Sequence, residues 1–301
     1  MTSVPNLPLP GVLRAHAAWL ANPSEGRQAD LSGATLNDQD LHDAKLARAI
    51  LRGATFLDAN LSGADLSGAN LERGDLQRAN LAGADLTGAN LTETQLAGAW
   101  LRNACLSEAV IRNASFRRAK LERAQMLDTS VQETSFVEVT ADSINLHQAR
   151  LYEVDWSESE LALAQFYHAR LRHCSFGGVR ASGAVFRGAN VDHCDFSRSQ
   201  LDGGKFQRAE IVQCVFRDAN LREADFRETR LRGGDFNRAI LAGARFGAAQ
   251  SVTADFRGAN LQGVRELTAE QLMQSLTDRS TILPNGSRGP YIRYSGAEKP
   301  R

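Results

Sequence analysis

The stretch GADLSGANLERGDLQRANLAGADLTGANL, which runs from Gly63 to Leu91, contains the pattern that decides the fold. A large apolar residue occupies every fifth position of this stretch, and the same phase continues from Leu31 to Leu261. All 13 phenylalanines of the chain fall on this column, and alanine is the commonest residue two positions before it. A period of five matches neither an α-helix nor a β-strand, and self-similarity over this length indicates a solenoid.

Longer periods within the same segment indicate how many residues form one coil. From Phe166 to Phe256 a phenylalanine recurs every ten residues, and Cys174, Cys194 and Cys214 recur every twenty. Like residues stack on like in a solenoid, and ten residues are too few to enclose two layers of side chains. We therefore expect coils of twenty residues with four sides of five, and about 12 coils for the 47 central positions. The large central residues and the small residues before them should face inward.

The repeated unit resembles the A(D/N)LXX motif of the pentapeptide-repeat family over residues 29–261. The resemblance implies an all-β solenoid in the form of a right-handed quadrilateral β-helix. It also implies that the repeat itself carries no enzymatic activity. It does not supply a function, because this fold hosts several.

Both ends of the chain depart from the repeat, and each predicts a short helix that covers an open end. Residues 1–27 carry Pro10 at a helix start and a stop at Asn22 and Pro23, which suggests an N-terminal capping helix. Residues 28–264 make up the β-helix. Residues 265–301 begin with a C-terminal capping helix, with Thr268 as its N-cap, and end in a loose tail. Caps are expected because a terminal coil otherwise exposes apolar core and unpaired backbone groups. The alternative for the first helix is a docking element for a partner.

Between Val137 and Glu160 the repeat is less regular than elsewhere. Val139 replaces a small inward residue and Ala141 replaces a large central one, a swap that conserves volume. Residues 131–160 also contain seven acidic residues against one basic residue. Two interpretations remain open, a solvated irregular turn of the solenoid or a local acidic contact site.

Composition argues against several classes of function. The chain has 35 basic and 35 acidic residues, so direct binding of nucleic acid through a basic surface is not expected. The N-terminus has no basic region, and Arg14 and His16 interrupt its apolar stretch, so neither a secretion signal nor a membrane span is predicted. Four cysteines, three of them at inward positions, are typical of a reduced cytosolic protein. The predicted location is the cytoplasm.

The sequence contains no recognisable catalytic or cofactor motif, so we predict no enzyme, no catalytic residue and no cofactor. The pairs His173–Cys174 and His193–Cys194 have the residue types of a metal site. In a coil of this kind the cysteine faces inward and the histidine outward, so the four side chains cannot meet at one tetrahedral ion. We therefore predict no metal site.

One side of the solenoid is predicted to bind another protein. The side built on Leu51, Ile111, Leu151 and Ile211 carries more large apolar residues next to its centres than the others, together with an excess of arginine. Aromatic, aliphatic and arginine residues together are typical of a protein-binding surface. We expect a non-enzymatic cytosolic scaffold, either a monomer or a homodimer through a terminal segment. The predicted contact residues are Arg150, Tyr152, Arg170, Arg172, Val212, Arg232 and, as an exposed aromatic elsewhere, Trp100.

The alternative function comes from the same resemblance. One branch of the family protects type II topoisomerases, gyrase among them, from quinolones or peptide toxins by imitating a DNA duplex. Neutral charge and an unbroken repeat phase from residue 31 to residue 261 count against this alternative. The acidic surface that it requires would be the side that carries Asp75, Asp155, Asp195, Asp235 and Asp255.

Overall fold

The computed structural model of the chain describes residues 8–252 and 254–300, and it contains two compact units, residues 1–140 and 141–301. In both units the backbone pairs in parallel with the backbone twenty residues further along, and bridged positions recur at every fifth residue. Four bridged rows per twenty residues make each unit a quadrilateral β-helix, so the predicted fold class is confirmed. Residues 1–7 of the predicted N-terminal cap lie outside the described residues. Within the described ranges, no helix is both long enough and apolar enough to cross a membrane.

The hydrogen bonds between two neighbouring coils, and one within a coil, show how the five-residue period becomes structure. The N–H of Leu61 donates to the carbonyl oxygen of Asn80 at 2.7 Å, and the N–H of Asn80 donates to that of Ala59 at 2.9 Å. At the corner, the N–H of Ala64 donates to the carbonyl oxygen of Leu61 at 3.1 Å and closes a turn. The corner residue Gly63 has a φ of +66°, and a positive φ recurs at this position along both units. The side chains of the central residue Leu61 and of Ala64 therefore face the core, and the corner residue Gly63 is exposed to solvent.

The first unit begins with helix α1 (Leu9–Ala21) and contains the paired parallel strands β1 (Val110–Arg112) and β2 (Ser130–Gln132). Its other rows are single bridges from residue 30 onward. Helix α1 ends with Asn22 as its C-cap, where the sequence predicted a stop. Its one fully buried side chain among the described residues is His16, which hydrogen-bonds to the first coils.

The second unit contains six strands of three residues that pair in order and in parallel, each offset from the next by twenty residues. The central residue of each of the first five strands is buried, and its two neighbours lie on the outer face. These strands occupy one side of the coil, and the other three sides have single bridges. The strands are β3 (Arg150–Tyr152), β4 (Arg170–Arg172), β5 (Asn190–Asp192), β6 (Glu210–Val212), β7 (Arg230–Arg232) and β8 (Gln250–Val252).

Two columns of phenylalanine fill the core of the second unit. Within each column, the centroids of successive rings lie 4.7–5.3 Å apart, and most neighbouring rings are nearly parallel, for example Phe186 and Phe206 at 4.9 Å with an interplanar angle of 2°. Rings of opposite columns meet edge to face at 5.7–6.3 Å, as Phe206 and Phe216 do at 6.2 Å. Both arrangements are favourable for aromatic rings. A phenylalanine at every tenth residue of a twenty-residue coil places the rings on two opposite sides, which accounts for the two columns.

The number of coils differs from the prediction. A single solenoid of about 12 coils was expected, whereas the structure has two units, and a solenoid here has about 6 turns. The boundary between Thr140 and Ala141 falls in the segment where the repeat is irregular. In this segment Val139 and Ala141 are both fully buried, so the larger inward residue and the smaller central residue still occupy the core. The inward pattern is therefore kept on both sides of this boundary, and the count of about 6 turns applies to one unit.

Helix α2 (Ala269–Met273) closes the second unit. Its N-cap is Thr268, as predicted, and the side chain of Gln271 completes a capping box with it. After the helix, Leu276 and Ile282 form parallel bridges to Asp255 and Asn260 of the last coil. The exposed backbone edge of that coil is thereby paired.

The tail that was expected to be loose is folded within the described residues. The N–H of Asn285 donates to the carbonyl oxygen of Ala297 at 3.1 Å, and Ala297 is buried. The hydroxyl group of Tyr291 donates to Glu298 Oε2 at 3.0 Å. The division into residues 1–27, 28–264 and 265–301 stays a prediction, since the units defined by contacts have a different boundary.

Candidate functional site

The outward residues of strands β3 to β7 form one side of the second unit, which we call the ladder face. Its two rows are the residues immediately before and immediately after the buried centres. The backbone register fixes both rows, because each strand pairs with the next residue by residue. The first row is Arg150, Arg170, Asn190, Glu210 and Arg230, and the second is Tyr152, Arg172, Asp192, Val212 and Arg232. Six of the seven predicted contact residues therefore lie on one face.

Four arginines of the ladder face have no ionic partner among the residues that the structure describes. In the part of the chain that the structure describes, no carboxylate lies within 4.0 Å of the guanidinium groups of Arg150, Arg170, Arg230 or Arg232. Arg150 and Arg170 are directly opposite each other in the register. Like charges at such positions repel, so the pair costs some stability. The two ends of the face are consequently cationic.

The middle of the ladder face is internally paired. Arg172 Nε lies 3.2 Å from Asp192 Oδ2, and His193 Nδ1 lies 2.6 Å from Asp192 Oδ1. Partial burial of Asp192 opposes ionisation, but the hydrogen bond from His193 and the charges of His193 and Arg172 outweigh it. The pKa of Asp192 therefore lies below its ordinary value of 3.8. Asn190 donates to Glu210 Oε2 at 3.3 Å.

The apolar part of the face is smaller than the sequence suggested. Tyr152 is 38% exposed, and its ring meets the ring of His173 edge to face at 5.9 Å. His173 in turn lies 5.2 Å from His193, so the three rings form a column along the edge of the face. Val212 is only half-exposed. Tyr152 is thus the main aromatic group that a partner could contact.

Trp100 does not belong to this site. It lies in the first unit, in the row that bridges Asn80, Trp100 and Lys120, and not in the row of β1 and β2. Trp100 is 51% exposed, as predicted for a residue just before a centre. The ammonium group of Lys120 lies 4.7 Å from its centroid, a cation–π contact.

The predicted acidic side is present, but its carboxylates are occupied. In the second unit a continuous row of bridges contains Asp155, Asp195, Asp235 and Asp255. Asp235 pairs with Arg217 at 2.6 Å and Asp255 with Arg257 at 2.6 Å.

The hydrogen bonds from Arg257 hold the pKa of Asp255 below its ordinary value. Asp155 and Asp195 each accept from the N–H and hydroxyl groups of a serine two residues later. Asp75 lies in the first unit and accepts from the N–H of Gln77 at 3.1 Å. Two guanidinium groups thus neutralise half of the column in the second unit.

The cysteines and histidines lie as the coil geometry predicts. Cys174 and Cys194 are buried, whereas His173 and His193 are exposed. Hydrogen bonds with Cys174 and Cys214, together with burial, raise the pKa of the Cys194 thiol. Within the described residues, no group of three or more His, Cys, Asp or Glu side chains is placed to hold a metal ion.

One feature beside the ladder face was missed from the sequence. Two adjoining cavities of about 280 and 410 Å³ lie along its edge and share Gly188 and Arg208 in their walls. The walls also include Tyr167, His168 and Arg187. The sequence does contain an indication of these cavities, because Gly188 lies twenty residues after His168 and twenty residues before Arg208. This spacing indicates a gap in the surface only once the coils are known to stack.

Two family models match the chain. One, described as "Pentapeptide repeat region", matches residues 149–226. The other, described as "Pentapeptide repeats (8 copies)", matches residues 40–78, 69–107, 101–137 and 219–250. Together the matches extend over residues 40–137 and 149–250, well over half of the chain. No curated protein matches it.

Several solved structures are similar to the chain. HetL, a pentapeptide repeat protein involved in heterocyst differentiation regulation from the cyanobacterium Nostoc sp. strain PCC 7120, is 23% identical; the match covers 94% of this chain and 100% of HetL, with a TM-score of 0.34. QnrB1, a plasmid-mediated fluoroquinolone resistance protein, is 20% identical over 67% of this chain and 91% of its own, with a TM-score of 0.29. A pentapeptide repeat protein from the Arabidopsis thaliana thylakoid lumen is 21% identical over 44% and 79%, with a TM-score of 0.23. At these identities and TM-scores, the likeness is no evidence of a shared function.

Proposed function

The chain belongs to the pentapeptide-repeat family, and on that premise we propose that it is a non-catalytic scaffold whose ladder face binds another protein. Its proposed location is the cytoplasm, where the four free cysteines would stay reduced. The partner would present an acidic surface with an apolar patch that meets Tyr152.

The fixed backbone of the ladder face favours binding. Each outward residue of β3 to β7 stands on a strand that is paired in register with its neighbours. A partner that docks on such a face orders side chains but not backbone, so less conformational entropy is lost on association. Arginine and tyrosine are also the residue types that contribute most at protein interfaces.

One observation supports the proposal most strongly, the unpaired arginines of the ladder face. Some arginines elsewhere on the surface pair with a carboxylate twenty residues away, as Arg73 does with Glu93, and others, such as Arg123 and Arg198, have no ion pair among the described residues. The unpaired arginines of the ladder face differ in being clustered, since Arg150 lies opposite Arg170 and Arg230 shares a strand with Arg232. On the ladder face four guanidinium groups lack such a partner among the described residues. These groups remain available for carboxylates of another protein.

The test is capture of a partner by the tagged protein and by two charge-reversal variants. The ladder variant carries Arg170→Glu and Arg232→Glu, which break no described ion pair. The control variant carries Arg123→Glu and Arg198→Glu, which change the net charge equally away from the ladder face. We expect a partner that binds the wild type and the control but not the ladder variant. Equal capture by all three proteins would refute the proposed face.

A second candidate function, duplex mimicry towards a type II topoisomerase such as gyrase, is favoured by one observation. Four aspartates recur in a single row of the second unit. Their partial neutralisation by Arg217 and Arg257 makes this candidate weaker. A gyrase supercoiling assay with a quinolone distinguishes the two candidates. Protection that is lost on replacing Asp195 and Asp235 by serine would favour the mimic.

A homodimer through the C-terminal segment is a separate proposal. Four large apolar side chains are exposed in and after helix α2, and they offer a surface that a second copy could cover. They are Met273, Leu276, Ile292 and Tyr294. Light scattering of the intact protein tests this, and a monomer mass that does not change with concentration would refute it.

A further inference from the structure

The two cavities beside the ladder face form one groove, which we call the corner groove. It runs across four successive coils at the corner between the bridged row of Gln165 and the bridged row of Arg170. The smaller cavity is lined by Tyr167, His168, Arg187, Gly188 and Arg208. The larger one continues past Gly188 and Arg208 to ladder-face residues that include Arg230.

The groove exists because a corner position lacks a side chain. At the corner the successive coils carry His168, Gly188, Arg208 and Glu228. Gly188 has a φ of +65°, and a Cβ atom at this position would lie 2.7 Å from the ring of His168. The ring of His168 therefore lies next to residue 188, and the side chains of His168 and Arg208 on the adjacent coils line the groove on either side of Gly188.

The charges in the groove are unevenly distributed. The smaller cavity has two guanidinium groups, those of Arg187 and Arg208, and no carboxylate among its lining residues. Arg208 is held in place by Glu228, with 2.8 Å between Nε and Oε2. Arg187 and Arg230 have no carboxylate within ion-pair distance among the residues that the structure describes. The larger cavity is balanced, because Glu210 and Glu228 accompany its two arginines.

We propose that the corner groove binds an extended acidic segment of the partner protein, with one carboxylate seated in the smaller cavity between Arg187 and Arg208. This inference rests on the proposed function, since it names the chemistry of the partner at the edge of the same face. Guanidinium groups bind carboxylates through charge-assisted hydrogen bonds. Arg187 has no ion pair among the described residues, and Arg208, whose Nε is taken by Glu228, would contribute its remaining N–H groups. The tyrosine hydroxyl of Tyr167 supplies a further donor at that end of the groove.

The length of the groove fits a short piece of extended chain. The corner positions of residues 168 to 228 span three coil steps, or about 14 Å at a strand spacing of about 4.8 Å. An extended chain rises about 3.3 Å per residue, so roughly four residues fit. A glutamate in the smaller cavity would meet Arg187 and Arg208. The residues after it would lie along the larger cavity, where Arg208 and Arg230 are balanced by Glu210 and Glu228.

The test uses a fluorescent peptide of alternating glutamate and serine, with a glutamine and serine peptide as the neutral probe. Binding is followed by fluorescence anisotropy on the full chain. Gly188→Gln fills the groove and displaces the ring of His168, which lies 2.7 Å from the position of the new Cβ atom. The backbone conformation itself accepts glutamine, because Gln148 and Gln213 adopt φ values of 57° and 51°. The control for the backbone conformation is Gly203→Gln, since Gly203 has the same φ of +65° and its substitution displaces no neighbouring side chain, because nothing lies within 4 Å of its Cβ position.

We expect the wild type and Gly203→Gln to bind the glutamate peptide, and Gly188→Gln and Arg187→Glu to bind it at least about tenfold more weakly. Circular dichroism melts of the two glycine variants serve to show that both fold. The inference is overturned if the wild type fails to bind the glutamate peptide, if it binds the neutral peptide equally well, or if Gly188→Gln binds as tightly as Gly203→Gln.

Failure of this inference can be told apart from failure of the proposed function. If the ladder variant loses the captured partner but Gly188→Gln retains it, the ladder face binds and the corner groove does not. If neither the ladder variant nor Gly188→Gln affects capture, the proposal that the ladder face binds the partner is wrong, whether or not the glutamate peptide binds to the groove.

Discussion

The backbone N–H of Ala29 donates a hydrogen bond to Nδ1 of His16 at 3.0 Å, so a single imidazole ring joins helix α1 to the first coil. The other ring nitrogen, Nε2, lies 3.1 Å from the carbonyl oxygen of Ala47. A neutral ring with its proton on Nε2 satisfies both contacts. Because the ring is fully buried, protonation of Nδ1 would remove an acceptor and place a charge in the core.

We expect this contact to make the first unit less stable in mild acid. Burial lowers the pKa of His16 from its ordinary value of 6.5. A lowered folded-state pKa means that the stabilisation is complete above about 6.5 and is lost as pH falls through the lower folded value. His16→Asn should cost about 1–3 kcal/mol at neutral pH. Denaturant melts from about pH 7 to about pH 5 should show the difference between wild type and variant shrinking. A constant difference would contradict this.

The C-terminal cap should have its own pH dependence, at a much lower pH. Hydrogen bonds from the hydroxyl group of Ser280 and from the N–H groups of Gly258 and Ser280 lower the pKa of Asp278 to about 2. The stabilisation is therefore present above the ordinary value of 3.8 and is lost as pH falls through about 2. Asp278→Ala should lower the melting temperature at neutral pH, and the two proteins should converge in strong acid. An equal melting temperature at neutral pH would show that Asp278 does not hold the cap.

The phenylalanine columns should carry much of the stability of the second unit. Phe206 is fully buried and is stacked between Phe186 and Phe226 at 4.9 and 4.8 Å. Phe206→Ala should cost about 3–5 kcal/mol because it leaves a cavity that its neighbours cannot fill. The control is Leu163→Ala in the same unit, at a residue that is 59% exposed, and it should change stability by less than about 0.5 kcal/mol. Similar losses at both sites in denaturant melts would mean that the inward phase is wrong.

The like-charge pair on the ladder face predicts a variant that gains stability. Arg170→Glu would place a carboxylate opposite Arg150 and replace repulsion by attraction. We expect the free energy of unfolding to rise by roughly 0.2–1 kcal/mol, while partner binding weakens. Arg172→Glu is the matched opposite, since it breaks the ion pair with Asp192 and should lower stability. If Arg170→Glu proves destabilising, the two arginines do not repel as the register implies.

Much of the fold could be predicted because every five residues contain one large and one small side chain that must both be buried. A column that contains Leu61, Phe206 and their equivalents must face inward, and the small residues before it leave room for it. The C-terminus of helix α1 at Asn22 and the N-terminus of helix α2 at Thr268 could be predicted because capping depends on residues that are close in sequence. The coil length followed from the twenty-residue spacing of the cysteines.

The rest depends on relationships between coils that one coil does not reveal. The pairing of Arg217 with Asp235 and of Arg172 with Asp192 reduces the charge of both predicted surfaces, and each joins residues in different coils. The corner groove arises from Gly188 lying between two larger side chains on adjacent coils. The tail is ordered by a backbone contact between Asn285 and Ala297, which composition does not indicate. Side-chain partners at a surface are set by stacking, not by the inward pattern.

The most direct test of the ladder face is hydroxyl-radical footprinting of the protein alone and in complex with its captured partner. Four exposed side chains report on separate surfaces, which are Tyr152 on the ladder face, Leu163 on another side of the same unit, Tyr294 near the C-terminus and Trp100 in the first unit. We predict that the partner protects Tyr152 and leaves Leu163 and Tyr294 unchanged. Protection of Leu163 or Tyr294, with Tyr152 as reactive as in the free protein, would contradict the account.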